Sequence, residues 1–338
     1  MKFSEDKKRA IKMYIVEKIA NSTPNITKQV AEIFNISRNT VNAYMTQLQE
    51  NGIIRKIQKN QYELVTEIHK FRVWRSKNEL TSETAVFEKC IKPYILQCTP
   101  EARAIWDYAS NEMLNNVIDH SDADRLDVIV KRNFYSTTVM LIDDGVGIFE
   151  KLKNYFNLES LDAARCELFK GKLTTNAQMH SGEGIFFTSR VMDTFLIISS
   201  GKIFSTNKYN SDVLLDAPVG IRKGTAVYMS LNNHTHRQLA EVFKCYADVE
   251  NGFDKTTIPL KNIFDDAPVS RSQAKRICYR LENFAEVTFD FAGINWVGQA
   301  FAHQIFVLYQ REHPTMRLKA VNMCENVYAM YQHVMNTK

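Results

Sequence analysis

The residues best suited to chemistry fall in four short stretches of the middle of the chain. The first is Asn111–His120. Here Glu112 and Asn116 are four apart and Asp119 is three further on, so at 3.6 residues per turn all three share one helix face. Leu114, Val117 and Ile118 supply apolar packing. A carboxylate one turn before a carboxamide can orient a water while the amide oxygen ligates a hard cation such as Mg²⁺. The second stretch is an apolar β-run, 137–143, that ends in Asp143 and continues as Asp-Gly-Val-Gly, with glycines at Gly145 and Gly147. A carboxylate at a strand tip can accept from an exocyclic amine, the group that separates adenine from guanine, and the glycines let backbone approach a ligand. In the third, Gly182 and Gly184 open a helix whose free N–H groups and dipole suit a phosphate. The fourth is Gly224-Thr225, which enters a strand. Alone, each is weak. Glu-x-x-x-Asn occurs on helices by chance, and a glycine-rich turn often carries an exposed aspartate.

These stretches need a helix over 101–120, strands over 137–143 and 225–231, and an intervening segment, about 150–184, of mixed polarity. On either side the pattern changes. Apolar positions at helical spacing run over 8–20, a second helix over 28–34 begins after Asn25-Ile-Thr27, and a third, capped by Ser37 or Asn39, runs to about Glu50 and ends at Asn51-Gly52. Residues 53–64 read as two short strands around Lys59-Asn60. Residues 67–88 are polar and charged, without Gly or Pro, and read as a connector. Beyond 257, helix and strand alternate: a Ser-capped helix over 270–283, a strand over 285–291, an amphipathic helix over 297–309, a strand over 317–322 and a last helix over 326–335. That alternation implies a small parallel α/β layer.

Composition limits the class. The 338 residues are too many for one average domain, and 45% hydrophobic with 24% charged residues excludes disorder over most of the length. The densest apolar run, 194–200, is far too short to span a bilayer, and the first residues lack the apolar core of a signal peptide. Six scattered cysteines with no Cys-x-x-Cys pair argue against a zinc site and fit a reduced, cytoplasmic protein without membrane contact. The net charge of +5 sits in the first 65 residues, which hold 11 basic and 6 acidic residues, whereas the remainder holds 32 of each. A basic segment on a neutral body points to a nucleic-acid contact there.

Three resemblances follow. Three helices and a hairpin, with Val30 to Tyr44 as the helix-turn-helix, resemble bacterial winged-helix DNA-binding domains. Ala31 allows a close helix crossing, Ile36 plugs the turn and Val41 packs beneath the third helix. The resemblance implies that Ser37, Arg38, Asn39, Thr40, Asn42 and Tyr44 face double-stranded DNA, with Arg55, Lys56 and Lys59 of the wing on phosphates. The four chemical stretches, in this order, resemble the nucleotide-binding domain shared by gyrase, the Hsp-class chaperones, histidine kinases and mismatch-repair MutL proteins: the GHKL superfamily, with the Bergerat fold. This implies ATP and Mg²⁺ as ligands. Glu112 would be the water-polarising base and Asn116 the magnesium ligand, with Asp119 beside it. Asp143 would read adenine within the Gly145/Gly147 loop, Gly182 and Gly184 would hold phosphate, and Thr225 would lie near the base. Residues of about 150–184 would be the ATP lid, with Lys170 and Lys172 as phosphate contacts; no Walker sequence is present. The end of the chain, through Phe289–Ala302, resembles a STAS-like domain.

The fold class expected is therefore multidomain α/β: a mainly helical winged helix over 1–66, a connector over 67–88, an α/β sandwich ATPase of the GHKL type over 89–235, and a small α/β STAS-like domain over 250–338. STAS antagonists of anti-sigma kinases carry a Ser or Thr in the strand-to-helix loop, but 292–298 of this chain has no hydroxyl. The loop reads instead as a docking surface for a protein partner through Asp290, Asn295, Trp296 and Gln299. Relatives often dimerise through the ATPase module, so a homodimer is an expectation too. The function implied is a nucleotide-controlled DNA-binding regulator that hydrolyses ATP slowly. The alternative is a protein kinase of the anti-sigma or histidine type, for which His69 is the acceptor candidate; Glu rather than Asn at 112 resembles the hydrolases and the anti-sigma serine kinases. A third reading is an adaptor with a decayed pocket.

Overall fold

The computed structural model describes residues 3–58, 60–172, 182–206, 223–248, 252–264 and 266–336. Its first part is three helices, α1 (Glu5–Ala20), α2 (Ile26–Phe34) and α3 (Arg38–Glu50), followed by the hairpin β1 (Ile54–Gln58) and β2 (Gln61–Leu64). Ile11, Ile15, Val30, Val41, Leu48 and Ile54 close a core of their own, and Ala31 and Ile36 pack against it. The Ser37 hydroxyl accepts from Thr40 N at 3.1 Å, so Ser37 rather than Asn39 caps α3. Asn60 supplies the positive φ of 61° that the hairpin turn requires.

Two residues after β2 the chain enters β3 (Glu67–Trp74), the edge strand of a six-stranded sheet. This corrects the reading of 67–88 as a connector: β3 pairs antiparallel with β4 (Arg125–Arg132) over eight residues, and α4 (Glu83–Cys90) packs into the core. The charge that disguised β3 lies on one face. His69, Phe71 and Val73 alternate toward the helices, whereas Ile68, Lys70, Arg72 and Trp74 look away, with Arg72 bonded to Asp127 at 2.6 Å. The N-terminal helices and hairpin are thus joined to the sheet through only two residues. Tyr135, in the turn after β4, packs on the N-terminal core.

The sheet order is β3-β4-β5-β8-β6-β7, with β5 (Ser136–Asp143), β6 (Thr194–Ser199), β7 (Lys202–Phe204) and β8 (Thr225–Asn232), and neighbours among the described strands pair antiparallel. Val128, Val130, Val139, Leu141, Met229 and Leu231 point to one face. That face is covered by α4, by α5 (Pro100–Asn115) and by α8 (Gly184–Val191), which makes a two-layer α/β sandwich. Thr99 caps α5, Pro100 occupies its first turn, and Ala102, Ile105, Trp106, Ala109 and Met113 form its buried stripe. Two helices, α6 (Ile148–Tyr155) and α7 (Leu161–Lys170), leave the end of β5 and pack on each other.

After α9 (Leu239–Tyr246) and the short hairpin β9 (Ala247–Asp248) and β10 (Gly252–Phe253), the last domain is a three-stranded parallel sheet, β11 (Lys255–Pro259), β12 (Glu286–Asp290) and β13 (Arg317–Val321). Around it lie α10 (Leu260–Ile263), α11 (Arg271–Cys278), α12 (Gln299–His303, continued by a wider π segment to Tyr309) and α13 (Glu325–Asn336). The parallel order agrees with the alternation read in the sequence. Among the described residues no helix is long and apolar enough to cross a membrane.

Candidate functional site

A cleft of about 280 Å³ opens between the end of α5, the tips of β5 and β8, α6 and the start of α8. It brings together Glu112, Asn116, Asp143, Gly147, Gly182, Gly184 and Thr225, residues of four separate segments. Its apolar wall is Ile148, Leu152, Leu168, Ile185 and Ile197. A concave slot with an apolar wall and convergent polar groups is the ordinary form of a small-molecule site.

Asp143 is 4% exposed at the end of β5. Its Oδ1 accepts from Gly145 N at 2.9 Å and Thr225 N at 3.3 Å, and its Oδ2 has no partner among the described residues. Burial pushes its carboxyl up to about 6, against the lowering effect of the two backbone donors. An acceptor held this way, with one oxygen fixed and the other unspent, is suited to reading a donor in the cleft. Thr225 uses its hydroxyl to accept from Ile148 N at 3.1 Å, which ties β8 to the start of α6. The loop between is shaped by glycines: a side chain at Gly145 would run into the Ser121 carbonyl, and Gly147 has φ +91° beside Ser199 Oγ. Gly145 thus builds the loop from behind rather than lining the cleft.

Glu112 lies against the start of α8, where a Cβ on Gly184 would collide with Glu112 Oε2. The carboxylate therefore sits at the positive end of that helix. Asn116 donates only a weak contact, to Met113 Sδ at 4.0 Å, and its amide oxygen has no partner among the described residues. An unspent amide oxygen beside a carboxylate fits a hard cation.

Asp119 does not join them. From Asn116 to His120 the helix widens into a π turn, so the 3.6-residue phase is lost and Asp119 turns outward, exposed and away from the cleft. Asn115, His120 and Ser121 line the cleft in its place. Lys151 was not legible as a site residue. It is the one lysine or arginine among the described residues lining the cleft; its Nζ donates to the His120 carbonyl and lies 3.5 Å from Asp122.

The two lysines read as phosphate contacts face the other way. Lys170 is 2% exposed, paired with Glu167, and donates to the Tyr279 carbonyl at 2.5 Å. Lys172 donates to the Asn283 carbonyl at 2.9 Å and lies over the Phe284 ring at 5.0 Å, and burial pulls its pKa down. Both hold the C-terminal end of α7 to the C-terminal domain, as does Thr256 Oγ1 donating to the Lys170 carbonyl at 2.8 Å. His69 stands in β3, stacked on Tyr94 at 4.1 Å, and not on a helix that could present it to a kinase. His180 lies outside the described residues.

In the N-terminal domain Arg38, Asn39 and Asn42 are exposed along the start of α3, with Ser37 and Thr40 at its cap. Tyr44 is not on that surface: it is 6% exposed, within the core and beneath Lys12. It falls two residues past Asn42, on the inner side of the helix with Val41 and Leu48. On the wing, Arg55 is paired with Glu63, Lys56 is exposed, and Lys59 lies outside the described residues. At the C-terminal loop Trp296 is 47% exposed, while Phe301 is core. Asp290 accepts from Ala292 N and Asn322 Nδ2.

Two segments match known families. Residues 27–55, spanning α2, α3 and the start of β1, match the family described as winged helix-turn-helix DNA-binding. Residues 273–328, from α11 to the first turn of α13, match a STAS-like domain of unknown function. No relative among curated proteins was found for the chain. The chain thus carries an N-terminal winged helix-turn-helix, which supports DNA binding, and a C-terminal STAS-like domain.

Proposed function

We propose that residues 67–235 form a GHKL-type nucleotide-binding domain and that the chain is a DNA-binding regulator whose state is set by ATP and Mg²⁺. The observation that carries this is the convergence of Glu112, Asn116, Asp143, Gly182, Gly184 and Thr225 on one cleft over a two-layer sandwich. In this reading Asp143 accepts from the adenine amine, the apolar wall of Ile148, Leu152 and Ile197 covers the base, and the Asn116 amide oxygen holds the metal. Mg²⁺, when bound, would neutralise phosphate charge. Glu112, at the start of α8, draws a proton from the attacking water. Glu at 112 and the setting of His69 favour hydrolysis over phosphotransfer to a histidine.

Nucleotide state reaches the rest of the chain through two joints. The short link between β2 and β3 passes it to the winged helix, and α7 passes it to the C-terminal domain. The test is incubation with γ-labelled ATP and Mg²⁺, separating free phosphate from protein-bound label. Free phosphate that disappears in Glu112→Ala is expected; label retained on a protein side chain would point to the kinase alternative.

A further inference from the structure

A second cleft, of about 1020 Å³, lies in the seam between the six-stranded sheet and the C-terminal domain. Its floor is the carboxyl ends of the parallel strands β11 and β12, where Pro259 and Asp290 are register partners. In open α/β sheets the crevice beyond those ends is the usual ligand position. Arg165 of α7 and Arg276 of α11 enter it from the two domains, with Lys202 and Lys261 at its sides. Arg165 spends its terminal nitrogens on the carbonyls of Ile263, at 3.0 Å, and Ile203, at 3.4 Å, and Arg276 lies over the Phe264 ring at 5.7 Å. Both Nε atoms are buried and have no acceptor among the described residues.

Buried donors are nearly always bonded, and these two guanidinium N–H groups find no acceptor among the described residues; with Lys202 and Lys261 the two arginines give the cleft a cationic lining that suits an anion. The described carboxylates of the cleft do not take these two N–H groups. Asp162 is held by Lys202 at 2.8 Å and by Arg165 at 3.6 Å, and Asp290 is engaged by Ala292 N and Asn322. Asp266, exposed at the rim, is placed to accept from hydroxyl groups. Helix α7 is the wall common to both clefts: Asp162, Arg165 and Cys166 line this one, and Leu168 lines the other, with Gly171 just beyond the helix end.

We propose that the seam cleft binds a small phosphate-bearing, hydroxylated molecule, its phosphate on Arg165 and Arg276, and that α7 couples its occupancy to the first cleft. The coupling rests on the nucleotide reading of that first cleft; the binding does not. Ribose 5-phosphate titrated calorimetrically into the full chain, without nucleotide, tests the site. Binding in the millimolar range or tighter is expected, weakened about tenfold by Arg276→Gln and several-fold by Lys202→Gln, and unaltered by Asn116→Ala. Lys202 is partly exposed, so its variant decides the matter if Arg276→Gln fails to fold. Absence of millimolar binding overturns the site, as does binding that Asn116→Ala abolishes while Lys202→Gln leaves it intact. For the coupling, ribose 5-phosphate is expected to change ATP affinity about fivefold or more. Unchanged ATP affinity with ribose 5-phosphate bound overturns the coupling alone, and a chain that binds ribose 5-phosphate but never ATP refutes the nucleotide reading while supporting the second site.

Discussion

Replacing Asp143 by Asn separates what this side chain does for ligand from what it does to the fold. Its carboxyl rises from an ordinary 3.8 to about 6 because it is buried. That is about two pH units, or about 3 kcal/mol at about 1.4 kcal/mol per unit. The folded state thus holds the proton more tightly than the unfolded chain. Stability from this group is fully present below the unfolded value and is lost as pH rises through about 6. Asn can keep an oxygen for the Gly145 and Thr225 donors without the buried charge. Asp143→Asn is therefore expected to gain up to about 3 kcal/mol at pH 8 in denaturant unfolding, with the gain shrinking toward pH 4. Its amide would meet the adenine amine donor to donor, so ATP affinity falls about ten- to a hundredfold, the worth of one hydrogen bond to a charged acceptor. In the unsubstituted chain ATP binding should likewise weaken below about pH 6. A variant that is less stable at pH 8, or one that binds ATP undiminished, would refute the reasoning.

Three further predictions concern other parts of the fold. Gly184→Ala forces a methyl into the Glu112 carboxylate and should cut ATP hydrolysis at least about tenfold while leaving DNA affinity without nucleotide unchanged; γ-labelled ATP and anisotropy check both. Lys170→Met leaves the buried Glu167 with only the more distant Arg280, at 3.8 Å, and should cost about 3 kcal/mol in chemical unfolding, with part of the loss recovered in Lys170→Met/Glu167→Met. Lys56→Ala should weaken DNA binding uniformly across sequences and lower the salt slope by about one, whereas Tyr44→Phe, altering a buried ring, should leave affinity unaltered.

Much of the candidate site could be read from the chain because its parts are local motifs. Asp143 with Gly147, Gly182 with Gly184, and Gly224-Thr225 each carry their geometry within a few residues, and the structure brings them to one cleft. Misplacements arose where the local rule was overridden. Asp119 follows a uniform helical wheel into the site, but the π turn at Asn116 breaks the phase. Tyr44 lies near exposed Asn42 in sequence yet on the other side of α3. Lys170 and Lys172 look like phosphate ligands by charge, and only the tertiary fold shows that main-chain carbonyls of the C-terminal domain accept hydrogen bonds from them. Strand β3 hid behind the charges of its outward face; the alternation of His69, Phe71 and Val73 was the available signal. Lys151 had no motif at all, since it reaches the cleft from α6 only through the packing of that helix.

The central claim is that nucleotide state governs DNA binding. Its most direct test is the affinity of the full chain for duplex DNA at fixed salt, by fluorescence anisotropy, with no nucleotide, with a non-hydrolysable ATP analogue and Mg²⁺, and with ADP. The affinity is expected to shift about fivefold or more with the analogue and not to shift in Asn116→Ala. Superimposable curves in all three states, with the analogue shown to be bound, would contradict it.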